Sequence, residues 1–361
     1  MSKKLKVFHG PKNYGTQAGL FARELRKRGV QSISVTEGDK FERVTDVELL
    51  RGGNFLAKVF KHSWNVIRKF FWFFKYNTFH FYFGRTLFKR QIDLPFYKLF
   101  GKKVLMEYLG NDIRHYKTLV EEYNLSENHV YFNNMEKHDD EVKKRTQFET
   151  RYIDYLTSCL PTHVEFAKVY NVKVKEVIPL ALDIKKIDYF DLKKKDKKEC
   201  INILHAPTNR IFKGTDYIIE AVDRLKKEDY NISLNIAENI THSELFEEYN
   251  KCDIFIDQIS VGWYGTAALE AMAVGRPVCA FIDDKYFKHI DYSSDIPIVN
   301  VTKENIFHQL KELLDNSDEL PKKGAKGREF VEKYHDVEKV TDRLLDIYEN
   351  ILWVEQKKNN S

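Results

Sequence analysis

Two cations stand close together after a strand-like segment in the stretch TNRIFKGTDYIIEAV, residues 208–222. Arg210 and Lys213 precede Gly214 and the apolar-faced helix that the pattern predicts from Thr215. The amino end of a helix carries unpaired N–H groups and a partial positive charge, so two cations beside it favour an anion. A bound phosphate would gain about 1.5–3 kcal/mol for each charge-assisted hydrogen bond. The alternative is a solvated surface loop whose cations contact nothing.

A second stretch, CDIFIDQISVGWYGTAALEAMAVGRPVCAF at 252–281, predicts a strand, a glycine-bearing loop and a helix that begins near Gly265. Glu270 lies about one turn inside this helix, among alanines. A buried carboxylate needs a partner, because burying an unpaired charge is costly. Sugar hydroxyl groups would supply that partner. The alternative is that Glu270 lies on the solvent side of an Ala-rich core helix.

Two loops of the first half also follow predicted strands and carry polar side chains. GPKNYGTQ follows the first strand, and GNDIRH follows the strand at 103–107. Ligands of doubly wound sheets bind at the carboxyl ends of the strands, which makes both loops candidate binding segments. A plain connecting turn is the alternative for the first loop. In the second, Asp112 either orients an acceptor hydroxyl group or pairs with Arg114.

These motifs lie in two runs of alternating strand-like and helix-like segments, which predict two parallel sheets with helices on their faces. A length of 361 residues also favours two domains. A Lys-rich stretch at 179–199 separates the runs. The predicted strands lie near 5–9, 31–35, 78–83, 103–107, 152–157, 174–178, 201–206, 231–237, 253–257 and 277–282. The predicted helices lie near 16–28, 55–75, 86–99, 135–148, 162–170, 215–227, 242–250, 266–274, 321–334 and 337–353.

Composition excludes several classes of protein. The four cysteines are far apart, without a Cys-x-x-Cys pair or a His cluster at metal spacing, so neither a disulfide framework nor a zinc site is predicted. The start, MSKKLKVFHGP, is typical of a first strand and not of a signal peptide. The longest apolar stretch, FFWFF at 70–74, is far shorter than the ~20 residues of a membrane span. A cytoplasmic location is therefore expected.

The motifs in this order resemble the donor-binding half of GT-B nucleotide-sugar glycosyltransferases, in particular the large retaining family 4. The segments that carry the resemblance are VIPLALDIKKIDYF, ILHAPTNRIFKGTDYIIEAV and YGTAALEAMAVGRPV. The first half resembles the acceptor domain of that family through VFHGPKNYGTQAGLFARELRKRG, FHFYFGRTL and GKKVLMEYLGNDIR. The resemblance implies an α/β GT-B fold of two doubly wound, Rossmann-like domains facing a cleft. It implies an acceptor domain at 1–182, a donor domain at 183–335 and a C-terminal helix at 336–361 that returns to the first domain.

The resemblance also implies roles for individual residues. Arg210 and Lys213 would grip the donor diphosphate and stabilise the charge that develops on it, and Asp112 is the third catalytic candidate. Retaining enzymes of this type are thought to need no protein nucleophile, and without an Asp-x-Asp motif no metal or cofactor is expected. The donor-binding candidates are Asn209, Arg210, Lys213, Gly265, Thr266 and Glu270. The acceptor-binding or sugar-binding candidates are Asn13, Tyr14, Gly15, Thr16, Asn111, Arg114, Asp257 and Tyr264.

The sequence departs from the family pattern at two positions. Family members commonly carry a second Glu eight residues before the helical one, where this chain has Gly262, and many have a His where Leu109 stands. Asp257, Gln258 or Tyr264 would then compensate at the sugar. The implied activity is transfer of a sugar, with retention, from a nucleotide-diphosphate donor such as a UDP-sugar to a glycan or lipid-linked acceptor, in bacterial-type polysaccharide or glycoconjugate synthesis. The alternatives are a nucleotide-sugar epimerase of GT-B fold and a catalytically inactive binding subunit.

The helix predicted at 55–75 is amphipathic and basic. Residues 58–103 contain eleven Lys or Arg and one acid, Asp93, interleaved with aromatic residues. Such a segment favours an anionic membrane surface, and peripheral association with the inner face of the membrane is expected on this interpretation. The alternative is that the apolar face packs on its own sheet while the cations are solvated. A nucleic-acid surface is disfavoured by the net charge of only +5.

Overall fold

The computed structural model describes residues 4–38, 44–125, 133–195 and 199–358, with side chains described up to residue 350. The chain folds into two compact units. The first draws its residues from Met1–Leu119, Asn128–Ala181 and Val337–Ser361, and the second from Val120–Glu127 and Leu182–Asp336. Of the predicted Lys-rich connection at 179–199, residues 196–198 lie outside the described residues, as do the ends of the predicted domains at 1–3 and 359–361.

The first unit is built on a parallel sheet. Its strands are β1 (Lys6–Gly10), β2 (Gln31–Thr36), β3 (Val47–Glu48), β4 (Thr78–Tyr82), β5 (Lys103–Tyr108), β6 (Tyr155–Ser158) and β7 (Glu176–Val177). Among the described residues they form one seven-stranded sheet in the order β3-β2-β1-β4-β5-β6-β7. In the central pair Phe8 of β1 lies opposite Phe79 of β4. All of β4 is buried, as is expected of a strand covered on both faces.

Helices and an aromatic core surround this sheet. The helices are α1 (Gln17–Lys27), α2 (Phe55–Lys75), α3 (Leu94–Leu99), α4 (Tyr116–Tyr123), α5 (Met135–Glu149) and α6 (Thr162–Val169). Phe79 packs edge-on against Tyr97 with 4.7 Å between ring centroids. The last residues of α4 belong to the second unit.

The second unit has a smaller parallel sheet. Its strands are β8 (Ile201–His205), β9 (Ile232–Ile236), β10 (Ile254–Ile256), β11 (Val278–Ala280) and β12 (Val299–Asn300), in the order β12-β11-β10-β8-β9. Ile256 at the end of β10 lies opposite His205 at the end of β8, so the loops that follow these strands are neighbours. The helices are α7 (Arg210–Lys213), α8 (Thr215–Lys227), α9 (His242–Lys251), α10 (Thr266–Val274), α11 (Ile306–Asp315) and α12 (Leu320–Tyr334).

The last helix, α13 (Val337–Lys358), returns to the first unit. Arg28 at the end of α1 donates to Asp342 of α13 over 2.7 Å. The Tyr348 hydroxyl of α13 lies 2.6 Å from Nδ1 of the buried His80. The two parallel sheets and the returning helix confirm the predicted fold class.

One predicted helix is wrong in its extent. The helix expected at 86–99 is interrupted, because Arg90 and Gln91 have left-handed backbone angles with φ of 58° and 56°. The regular helix α3 begins only at Leu94, with Pro95 in its first turn. Proline fits there because the first helical N–H groups have no partner within the helix.

Candidate functional site

The loop after β8 and the loop after β10 meet at Gly214. This glycine has φ of 69° and separates the one-turn helix α7 from α8. A Cβ atom at this position would lie 2.4 Å from Cγ1 of Ile259, so only glycine allows the approach. The N–H of Ile259 donates to the carbonyl oxygen of Lys213 over 3.2 Å. Lys213 is thereby held against the segment that follows β10.

Lys213 forms a buried ion pair with Asp257. Its Nζ contacts Oδ1 of Asp257, and the two side chains are 14% and 1% exposed. The other carboxylate oxygen accepts a hydrogen bond of 2.9 Å from the N–H of Gly265, which precedes the first residue of α10, Thr266. An ammonium group and the amino end of a helix therefore converge on one carboxylate. Since an ammonium group has three donors, Lys213 can bind a ligand anion while it remains paired.

Arg210 lies on the same one-turn helix as Lys213 and is exposed. Its guanidinium group donates to both carboxylate oxygens of Glu238, over 2.9 and 2.5 Å. This pairing lowers the pKa of Glu238. Asn209 is the N-cap of the helix, and its side chain accepts from the N–H groups of Ile211 and Phe212. The side chain of Asn209 thus shapes α7, while Arg210 holds an exposed anionic partner that a phosphate could replace.

Glu270 is buried, and its partner is a histidine. Its Oε1 lies 2.8 Å from Nε2 of His242, and its Oε2 accepts from the Tyr249 hydroxyl over 3.5 Å. His242 is the first residue of α9, and its side chain is 62% exposed. The structure therefore places Glu270 inside the fold and not on the wet side of α10, with a partly solvated histidine at its outer oxygen.

His205 connects the motifs from within the sheet. Its Nδ1 lies 2.8 Å from the carbonyl oxygen of Ile256, and its Nε2 lies 2.9 Å from Oγ1 of Thr215. Burial lowers the pKa of His205 to about 4, so the ring is neutral. With its proton on Nδ1 the ring donates to Ile256 and accepts from Thr215. This side chain joins the end of β10 to the start of α8.

Gly262 and Tyr264 lie in crowded surroundings. A Cβ atom at Gly262 would lie 2.6 Å from Cβ of Asp283 and 2.8 Å from the Tyr123 hydroxyl. That hydroxyl forms a 2.7 Å hydrogen bond with Tyr286. Tyr264 is 1% exposed and its hydroxyl lies 3.3 Å from Nε2 of His335. A glutamate side chain has no room at Gly262, and Tyr264 packs inward.

The loop at Asn13–Thr16 in the first unit is held by its own side chains. The Asn13 amide donates to the carbonyl oxygen of Val44 over 2.9 Å, and its oxygen accepts from the Gly19 N–H over 3.4 Å. Gly15 and Thr16 have φ of 52° and 65°. Tyr14 is 42% exposed and stacks on Phe83 with 5.9 Å between ring centroids. Tyr14 is therefore the side chain of this loop best placed to meet a ligand.

Asp112 also has a structural task. Its carboxylate is buried and accepts from the N–H groups of Leu109 and Gly110, over 3.1 and 2.7 Å. Burial, partly offset by Arg145, raises its pKa to about 6. Arg114 donates to the side-chain oxygen of Asn111 over 3.0 Å. The Asp112 carboxylate thus shapes the loop from inside, while the side chains of Asn111 and Arg114 pair with each other.

The predicted candidates of the second unit lie on neighbouring loops, and four partners were missed. Lys213, Asp257 and Gly265 are in direct contact, whereas Arg210 and Glu270 each have a separate partner. The missed residues are His205, Glu238, His242 and Tyr249. His205 and His242 border motifs that the sequence analysis singled out, but nothing in the sequence pairs them with Thr215 and Glu270.

Two further observations concern metals and membranes. Across the described residues there is no group of three or more His, Cys, Asp or Glu side chains arranged to hold a metal ion. Within the same residues no helix combines the length and the apolar content of a membrane span.

The architecture matches solved structures across almost the entire chain. Sucrose-phosphate synthase from Thermosynechococcus elongatus superposes with a TM-score of 0.65 at 14% identity, covering 97% of this chain and 99% of that one. The chain has the GT-B fold. Anabaena HepE in complex with UDP-glucose has a TM-score of 0.60 at 11% identity, with 95% and 99% covered. A Listeria monocytogenes protein assigned as a UDP-N-acetylglucosamine 2-epimerase has a TM-score of 0.52 at 13% identity, with 96% of each chain covered. No family model and no curated protein matches the sequence.

Proposed function

We propose that this GT-B protein is a glycosyltransferase that moves a hexosyl group from a UDP-sugar to a glycan or lipid-linked acceptor, in polysaccharide or glycoconjugate synthesis. The observation that carries the proposal is the convergence of Lys213 and the Gly265 N–H on one buried carboxylate at the carboxyl edge of the second sheet. Donors arranged in this way suit a diphosphate, since they add a cation to a helix amino end. The sequence motifs and the UDP-glucose bound to HepE agree with such a donor.

In the proposed reaction the bond between the anomeric carbon and the diphosphate breaks, and a bond from the acceptor oxygen to that carbon forms on the same face. The acceptor proton passes to the leaving diphosphate. Lys213, Arg210 and the amino end of α10 stabilise the charge that grows on the diphosphate. Asp112, with a pKa of about 6, is the candidate that orients the acceptor hydroxyl group. No metal or cofactor takes part in this proposal.

The test is a panel of nucleotide-sugars screened by thermal shift, followed by calorimetry of the best ligand with the parent protein and with Lys213→Ala. A donor that binds the folded chain raises its melting temperature. Lys226→Ala is the matched control, because Lys226 is an exposed lysine at the end of α8. We expect Lys213→Ala alone to lose donor affinity. Unchanged affinity in Lys213→Ala would refute the diphosphate assignment.

Transfer and retention are measured with the identified donor and a set of glycan and lipid-linked acceptors. The anomeric configuration of the product, read by NMR, decides between retention and inversion, and activity in the presence of EDTA decides on the metal. Incubation with donor alone tests the alternative of an epimerase, because an epimer would form without acceptor. Donor binding with neither reaction would indicate an inactive binding subunit.

The proposal includes a place of action. A lipid-linked acceptor would be met at the cytoplasmic face of an anionic membrane, through the helix at 55–75.

A further inference from the structure

The helix α2 presents its apolar face to the solvent. Phe55 is 77% exposed, Phe60 69% and Phe74 63%, and the intervening apolar residues of the same face are at least 47% exposed. These spacings of three, four and seven residues place the side chains on one side of a helix. A helix on the surface of a unit normally buries this side. The exposed apolar residues of α2 are Phe55, Leu56, Val59, Phe60, Trp64, Ile67, Phe70, Phe71 and Phe74.

The polar side of α2 faces its own unit instead. Asn65 donates to and accepts from the backbone of Leu50, over 2.9 and 3.2 Å. Lys61 donates to the carbonyl oxygen of Arg51 over 2.8 Å. Lys69 is 12% exposed, lies 3.9 Å from Glu37 and sits over the ring of Phe88. Only Trp72 and Phe73 of the helix are buried, near its end. The apolar residues that the sequence would send to the core are therefore available for a partner.

The exposed surface continues beyond α2. The ring of Phe74 lies 6.1 Å from that of Phe100, which follows α3. Phe100 is itself 51% exposed, and Ile92, Phe96 and Leu99 beside it are exposed as well. We call these four residues and the nine of α2 the apolar face. A 21-residue helix is about 30 Å long, so this face is a long, contiguous apolar patch of the kind that marks an interaction site.

The exposed charges of residues 58–103, the segment that carries most of the apolar face, have one sign. Lys58, Lys75, Arg85, Lys89, Arg90 and Lys98 are exposed in the segment that carries it. Asp93, the one acid of residues 58–103, is buried and accepts hydrogen bonds from Thr86 and Tyr97, over 2.6 and 2.9 Å. An apolar face accompanied by exposed cations, with no exposed acid among residues 58–103, is complementary to anionic lipid. A second copy of the chain on this face would bring like charges together.

We propose that the apolar face docks on a bilayer containing anionic lipids, with α2 parallel to the membrane surface. The aromatic side chains enter the boundary between headgroups and acyl chains, and the surrounding cations contact the headgroups. The helix carries five Lys or Arg side chains along its length, which favours a position on the membrane surface over one across it. This docking mode rests on the membrane location included in the proposed function. Because the surface lies in the first unit, it can be tested apart from donor binding in the second.

The test is flotation of the full chain with vesicles of phosphatidylcholine alone and of phosphatidylcholine with phosphatidylglycerol. We expect binding to the anionic vesicles that weakens as salt is raised. The variant Phe60→Gln/Ile67→Gln/Phe71→Gln should bind at least 10-fold more weakly without a lower melting temperature, because these side chains are exposed. Val169→Gln/Tyr217→Gln removes exposed apolar residues elsewhere and should bind as the parent does.

A second variant tests the charges. Lys89→Gln/Arg90→Gln/Lys98→Gln should lose about 100-fold in affinity for anionic vesicles, at roughly a factor of five for each cation. Donor binding should be unchanged in every variant. Equal binding to neutral and anionic vesicles would overturn the role of the cations. Absence of binding to both kinds of vesicle would overturn the proposal. If light scattering then showed a dimer that the apolar variant dissociates, the apolar face would be an interface between two copies of the chain.

Discussion

Two buried carboxyl groups, Asp257 in the second unit and Glu107 in the first, differ in their partners. Each lies at the end of a parallel strand and is no more than 2% exposed. Asp257 pairs with the ammonium group of Lys213 and accepts from the Gly265 N–H. Glu107 lies 3.1 Å from Nε2 of His80, in a cluster with Tyr82, Tyr348 and His9.

The surroundings of Glu107 leave both it and His80 uncharged. Burial raises the pKa of Glu107 to about 8 and lowers the pKa of His80 well below its usual value, so both are neutral at pH 7. In the second unit the ammonium group of Lys213 and the Gly265 N–H lie against the carboxylate of Asp257 instead. A buried carboxyl group at a strand end is therefore not by itself a sign of an anion site, and the site proposed in the second unit depends on Lys213 and a helix amino end.

We expect the largest effect from Lys213→Ala. It leaves Asp257 buried without its cation, and we expect a loss of about 3–5 kcal/mol of unfolding free energy. Donor affinity should fall at least 10-fold, since a charge-assisted hydrogen bond is worth about 1.5–3 kcal/mol. Urea unfolding and calorimetry measure the two effects.

The double variant Lys213→Ala/Asp257→Asn separates structure from binding. An amide at position 257 still accepts from the Gly265 N–H and no longer needs a cation. Stability should recover in this variant while donor affinity does not. Recovery of both would mean that Lys213 serves only to neutralise Asp257.

Glu107→Gln should change how the free energy of unfolding depends on pH. The unfolded carboxyl group loses its proton near pH 4.5, whereas the folded one keeps it to about pH 8. Glu107 therefore costs stability progressively as the pH rises between these values, by about 4 kcal/mol from pH 5 to 8. The variant lacks this slope, so its stability relative to the parent should increase with pH over that window.

Urea unfolding of both proteins from pH 5 to 8.5 measures the difference. His9 and His80 are buried and have lowered pKa values, so they destabilise both proteins as the pH falls below about 6.5. Because His80 lies 3.1 Å from Glu107, its contribution does not cancel between the two proteins, and the slope is compared from pH 6.5 to 8.5, where both histidines are neutral. A difference that stays constant with pH would show that Glu107 is charged in the folded protein.

Gly262→Glu adds a carboxylate to the loop that follows β10 and Asp257, where the structure has no space for the side chain. The new side chain would meet Asp283 and the Tyr123 hydroxyl, and we expect a loss of about 1–3 kcal/mol. Gly265→Ala is the matched control for stability, because a Cβ there meets only Oδ2 of Asp257 at 3.7 Å. If Gly262→Glu is as stable as the parent and gains transfer activity, the inactive-subunit alternative would gain support.

The sequence predicted the elements better than their contacts. Alternating apolar segments predicted the two sheets and most of their helices, because such signals are local. The capping box of Thr241 and Glu244 at the start of α9 is a local signal of the same kind. The pairing of Arg210 with Glu238 joins residues 28 positions apart, and that of Lys213 with Asp257 joins residues 44 apart. Such pairs depend on the packing of β8, β9 and β10, and no periodic pattern in the sequence indicates them.

The orientation of α2 was likewise not predictable from the sequence. Its periodicity predicted an amphipathic helix correctly, and the sequence left open whether the apolar side packs on the sheet. That alternative is wrong for the nine exposed apolar residues of α2, which are turned outward. Periodicity identifies a face and not its environment, because Asn65, Lys61 and Lys69 find partners on the unit that no pattern indicates.

Arg210→Ala and Glu238→Gln give the smallest and most selective effects. Both remove the same exposed ion pair, so neither should change the unfolding free energy measurably. They should differ in donor affinity. Arg210→Ala should weaken it about 10-fold through the lost contact with phosphate, whereas Glu238→Gln frees Arg210 from its anionic partner and should leave affinity equal or slightly higher. Calorimetry with the same donor measures the affinity of both variants. Equal losses of affinity in the two variants would mean that the ion pair shapes the loop and that Arg210 does not contact the donor.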